Sequence, residues 1–169
     1  MLKIINELKP FFEDCYRRIN VREYAKIMKV SPPTASKIMK LYNNKGLLLK
    51  EEYRNYILFH ANRENEEFID LSLIYWRHAL KDLLVLMGKK LIDPTIILFG
   101  SLSKAEAKPD SDVDLAVFAH KREFDIGIFE RKIRRKIQIF WFESLKDVKP
   151  KELANNIING YLLKGRLSI

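Results

Sequence analysis

The chain has 169 residues, a hydrophobic fraction of 47%, a single cysteine and a formal net charge of +9. That length holds one ordinary domain or two small ones with a packed core, and six Gly and six Pro without repeats or low-complexity tracts leave no room for a solenoid or a disordered class. One cysteine excludes an intramolecular disulfide framework, and no apolar run approaches the roughly 18 residues of a membrane span, so the expectation is a cytoplasmic protein with no membrane partner.

The positive charge is uneven: residues 1–62 carry 12 Lys+Arg against 6 Asp+Glu. Such an excess suits a polyanionic partner or a solvated basic surface. Cys15 lies in a helical pattern with no base nearby and reads as a buried thiol. Asn20 and Glu23 have the spacing of a capping box ahead of the stripe Tyr24, Ile27 and Met28. Ser31 offers a second cap, and Pro32 and Pro33 fit the first turn of a helix that Gly46 ends. Two capped helices so tightly linked predict a helix-turn-helix. Leu47–Lys50 and Tyr56–His60 read as strands separated by a polar stretch, which adds a wing.

This segment resembles the winged helix-turn-helix domains of small prokaryotic regulators. The resemblance implies double-stranded DNA as a partner, with Thr34, Ser36, Lys37, Lys40 and Asn44 facing the major groove and Lys45, Lys50 and Arg54 near phosphates. Such proteins read paired half-sites, so a homodimer is expected. Use of the same fold for protein contact alone is the alternative, and Glu51 and Glu52 weigh against tight phosphate contact at the wing tip.

After a boundary at residues 62–65, apolar residues from Phe68 to Met87 recur at helical spacing and predict one long, largely buried helix ending at Gly88. Trp76 on it is expected to pack on a following sheet or a twin subunit. His60, His78 and His120 lack metal-ligand spacing, so no zinc site is predicted.

Thr95–Phe99 is a strand-like run, and Gly100 after it can turn sharply and admit a ligand to the backbone. Ser101 then caps a predicted short helix over 102–108, whose free amides would cradle phosphate. In the next strand Asp112 and Asp114 alternate with aliphatic residues, so both carboxylates project from one face. Paired acids beside a phosphate cradle suit Mg²⁺ and metal-assisted phosphoryl or nucleotidyl transfer.

Gly100-Ser101, ten residues, then Asp112-Val113-Asp114, with Ser111 and Leu115 flanking the acids, resembles the minimal nucleotidyltransferases of the DNA polymerase β-like superfamily. The resemblance runs from about Ile92 to the C-terminus, where residues 157–165 look like the closing helix and turn. It implies Gly100, Ser101 and Lys104 at the phosphates of ATP or another nucleoside triphosphate. Asp112 and Asp114 would be the catalytic acids and the ligands of Mg²⁺. Two departures stand out. Lys104 and Ala105 occupy positions where these domains often carry Arg-Gly, and Gln138, in the predicted strand Lys136–Phe142, stands where the superfamily's third carboxylate is expected. An amide is no base. Glu143 ends the same run with the opposite strand parity. The basic run 131–136 could hold triphosphate or nucleic acid, but reads better as a solvated helix side.

The expected architecture is α+β, a winged helix-turn-helix over 1–62 followed by a connecting helix and a small mixed α/β nucleotidyltransferase domain over 63–169. Minimal nucleotidyltransferases resemble or act as antitoxins, and the resemblance implies transfer of AMP from ATP to a partner toxin protein of the HEPN class, with the DNA-binding domain controlling the operon. Gln138 keeps open a non-enzymatic regulator that uses the second domain as nucleotide sensor or dimerisation platform. Nucleotide addition to RNA is a third reading, for which the chain lacks an evident extra domain to grip an RNA end.

Overall fold

The computed structural model describes residues 2–167 and contains, among them, seven α-helices and two sheets, a mixed α+β architecture. The chain divides into two compact units, Met1–Tyr75 with Ala105–Pro109, and Trp76–Lys104 with Asp110–Ile169.

The first unit begins with α1 (Lys3–Glu13), the two-residue strand β1 (Ile19–Asn20), α2 (Val21–Met28) and α3 (Pro32–Asn44). Asn20 Oδ1 accepts from the Glu23 amide at 2.9 Å, so the predicted cap forms. The reciprocal half of the box does not, because the Glu23 carboxylate turns to Arg17 at 2.7 Å. Lys29, at φ 54°, ends α2 in the left-handed region and turns the chain, and Ser31 Oγ accepts from the Thr34 amide to start α3. The strands β2 (Leu48–Tyr53) and β3 (Tyr56–Ala61) complete a three-stranded antiparallel sheet of order β1-β3-β2. They run further than the apolar pattern predicts, because Arg54 and Asn55 both take positive φ and close a two-residue turn directly on Tyr53 and Tyr56. Ile5, Leu8, Phe11 and Phe12 of α1 are buried, and the Phe12 ring contacts Phe68 and Tyr75. Glu7 pins the helices together, since its carboxylate accepts from Tyr42 Oη and its backbone carbonyl accepts from Tyr24 Oη at 2.7 Å.

The single long helix expected from the Phe68–Met87 pattern is two. The helix α4 (Glu66–Ala79) is followed by α5 (Lys81–Lys90), with a bend at Leu80 where ψ opens to 0°. The amide ladder continues across it, from Leu80 to Trp76 and from Leu84 to Leu80, so the apolar periodicity carries no sign of the bend. Gly88 does not end the helix but lies within α5, with the Lys164 side chain beside it.

The second unit is built on a four-stranded sheet of order β6-β5-β4-β7, with β4 Thr95–Phe99, β5 Val113–Phe118, β6 Ile137–Phe142 and β7 Tyr161–Lys164. The pairs β4–β5 and β4–β7 are antiparallel. β5 and β6 are parallel, joined through α6 (Gly127–Ile133). The closing helix and turn expected over 157–165 lie earlier, as α7 (Lys151–Ile158), and the chain returns as β7 beside β4. Gly160 and Gly165 make that return possible, since a Cβ on either would come within 2.6 Å of a carbonyl oxygen, of Leu98 and Pro94 respectively. Ile97, Phe99 and Ala116 share one sheet face with Phe118, Phe140 and Phe142, and Ile157 of α7 packs there.

Burial, and then the Glu7 charge, push the phenols of Tyr24 and Tyr42 well above the ordinary tyrosine range. A phenol held protonated by the fold contributes stability that is lost as pH rises past about 10. Chemical denaturation between pH 7 and 11 is expected to show that loss, and Tyr42→Phe to flatten it while lowering stability at pH 7 by about 1–3 kcal/mol.

Candidate nucleotidyl-transfer site

The site is assembled by sheet register. Across the β5 strand Asp114 pairs with Phe99 of β4 on one side and Gln138 of β6 on the other. Gly100 follows Phe99 at φ 72°, and a Cβ placed on it would overlap Asp114 Oδ2. The carboxylate therefore lies directly against the Gly100 backbone, an approach open only to glycine in a conformation that glycine favours. Asp112 lies one residue ahead of β5 and accepts from Gln138 Nε2 at 2.5 Å. Gly100, Asp112, Asp114 and Gln138 thus converge at one end of the sheet.

The turn after Gly100 is shorter than the helix expected over 102–108. It is a 3₁₀ turn, Ser101–Lys104, tied down by Ser103, whose hydroxyl donates to the Gly100 carbonyl at 2.8 Å and whose amide donates to the same oxygen at 3.3 Å. The first amides of such a turn have no intrahelical acceptor. Ala105 ends it at φ 52°, in the left-handed region, which explains physically why a glycine suits that position. Ser101 is half-buried at the start of the turn, and Lys104 at its end donates to Asn156 Oδ1 at 3.2 Å.

Two supports were not legible in the sequence. Arg135 belongs to the run read as a solvated helix side, yet it is only 9% exposed. It donates to the Ser111 carbonyl at 2.6 Å and lies 5.1 Å from the Trp76 ring centroid. The Lys136 carbonyl accepts from the Val113 amide at 2.8 Å, so both ends of the Ser111–Val113 stretch that carries Asp112 are fixed to the start of β6. The remaining basic residues of the run, Arg131, Lys132, Arg134 and Lys136, are exposed. Glu143 is exposed, follows the end of β6 and lies 3.7 Å from His120. A cavity of about 640 Å³ lined by Phe124, Ile139 and Trp141, among others, opens on the opposite sheet face from Gln138 by the same alternation.

In the other unit, Thr34, Lys37, Lys40 and Asn44 are exposed on α3 and Ser36 is half-buried there. Lys50 on β2 pairs with Glu52 at 3.0 Å, and Arg54 at the hairpin turn lies over the Tyr53 ring.

Burial first, and the Asp112 charge second, hold the Asp114 carboxyl above its ordinary range. Two hard oxygen groups, one half-buried and raised by its neighbour, form a donor set that fits a hard divalent cation such as Mg²⁺. An acid whose pKa is raised by folding opposes folding while ionised, and that opposition fades as pH falls through its titration. In the absence of divalent cations Asp114→Asn is therefore expected to raise the melting temperature at pH 7. The gain over wild type should shrink as the pH is lowered, as measured by calorimetry in a chelating buffer.

No curated protein and no solved structure matches the chain. Residues 82–166, half of the chain, match the family described as "Polymerase beta, Nucleotidyltransferase", a span that contains the Gly100 turn, both aspartates and Gln138. The chain belongs to the polymerase beta nucleotidyltransferase family.

Proposed function

We propose that the protein transfers a nucleotidyl group, AMP from ATP, to a hydroxyl of a partner protein, with residues 1–62 serving as a winged helix-turn-helix that binds double-stranded DNA. The observation that carries the catalytic half is the convergence of the Gly100 turn with Asp112 and Asp114. Asp112 and Asp114 would hold Mg²⁺, which supplies charge neutralisation at the phosphates when bound. In this reading the amides of the Ser101 turn and the Lys104 ammonium would take the triphosphate tail. The acceptor oxygen forms a bond to the α-phosphorus as the bond to pyrophosphate breaks, and the acceptor proton must leave by a route other than Gln138. A HEPN-class toxin as acceptor, an antitoxin role with control of the operon, and a cytoplasmic homodimer belong to the same reading. The DNA-binding half draws support from two capped helices joined at Lys29 and followed by a tight hairpin, with Lys37 and Lys40 exposed on the second helix.

A second reading has a specific observation in its favour. The Gln138 amide bonded to Asp112 puts a neutral donor where a base would be needed, which suits a regulator that binds nucleotide without consuming it. Incubation with α-labelled ATP, Mg²⁺ and the protein encoded beside it separates the two. Transfer of label that falls at least ~100-fold in Asp112→Asn supports the enzyme. ATP binding that alters DNA affinity with no label transferred supports the sensor, and neither result would leave the site without this role.

For the first domain, affinity for operator DNA is expected to fall steeply with salt. Lys45→Ala, near the phosphates in this reading, should weaken binding evenly across sequences and reduce the slope of log K against log salt by about one.

A further inference from the structure

We infer that Gln138 limits the site to one divalent cation per bound nucleotide. The inference rests on the nucleotidyl-transfer reading of the site and concerns what the chain can ligate there. Two hard cations held side by side, about 3.5–4 Å apart, share bridging carboxylates and need further anionic oxygens between them. This site supplies two carboxylates, and the position facing Asp114 across the β5–β6 pair is filled by a neutral amide.

The orientation of that amide is fixed by chemistry. The Gln138 NH₂ donates to Asp112 Oδ2 at 2.5 Å, and a carboxylate oxygen accepts. The partial positive charge of the NH₂ lies against that oxygen and occupies one of its lone-pair directions. The carbonyl of the adjacent Ser111 accepts from Arg135. Among the described residues no group of three or more His, Cys, Asp or Glu is placed to hold a metal ion together. Gln138 is thus a positioning residue that holds Asp112 and, by its neutrality, removes the ligand a second cation would use.

The test is a count on the full chain. Mn²⁺ is titrated by electron paramagnetic resonance with the α,β-methylene analogue of ATP present at saturation, and bound metal is counted per bound nucleotide after equilibrium dialysis. Wild type and Gln138→Met are expected to bind one Mn²⁺, and Gln138→Glu to bind two. Two in wild type or in Gln138→Met overturns the inference while the nucleotidyl-transfer reading stands. One in a folded Gln138→Glu also overturns it. Should Gln138→Glu fail to fold, the first two proteins decide. Nucleotide and metal both failing to bind the wild type removes the transfer reading, and the inference with it.

Discussion

The close approach of the Asp114 carboxylate to the Gly100 backbone governs the second unit. It requires that β4 end at Phe99 opposite Asp114, that the chain then turn at positive φ, and that no side chain intervene. Half-buried there beside Asp112, the carboxylate is held protonated to a higher pH than a free aspartate. An arrangement of this kind works against folding, and the surroundings hold it in place: Ser103 braces the Gly100 carbonyl, while Arg135 and the Lys136 carbonyl anchor the stretch that carries Asp112. Like charges set side by side at the expense of stability are a common mark of a binding site.

Gln138 changes the electrostatics of that arrangement more than its shape. A carboxylate at the same register position would place a third negative charge beside Asp112 and Asp114, whereas the amide donates to Asp112. The neutral group satisfies a half-buried acceptor and lowers the total charge of the cluster. The same substitution that removes a base makes the cluster easier to hold together without a cation.

Much of this was readable from residue order alone. Alternation in Asp112-Val113-Asp114-Leu115 placed both acids on one face, and the β-branched run before Gly100 placed the turn at a strand end. The departures from expectation have physical causes. The amphipathic pattern from Phe68 to Met87 persists through the bend at Leu80 because the hydrogen bonds persist, so periodicity had nothing to report. The helix expected after Ser101 stops at Lys104 because Ala105 takes a left-handed conformation that its residue type does not announce. Arg135 shares the pattern of its solvated basic neighbours, and residue order cannot show a guanidinium bonded to the Ser111 carbonyl and lying over Trp76. β7 was masked by the helical pattern that precedes it, and only the close fit of Gly160 and Gly165 to the β4 backbone explains why that stretch must be extended.

The segment Ala105–Pro109 groups with the N-terminal unit although it follows the Ser101 turn in the chain. Its Ala107 carbonyl accepts from the Cys15 amide at 2.8 Å, and the Lys108 ammonium lies over the Tyr16 ring. Neither unit is a continuous stretch of polypeptide. Dividing the chain after Tyr75 would part the Cys15 amide from its acceptor, and dividing it after Pro109 would part β4 and its turn from β5. During synthesis the first unit remains unfinished until the ribosome has released a segment encoded more than thirty codons after Tyr75, about when β4 and its glycine turn also emerge.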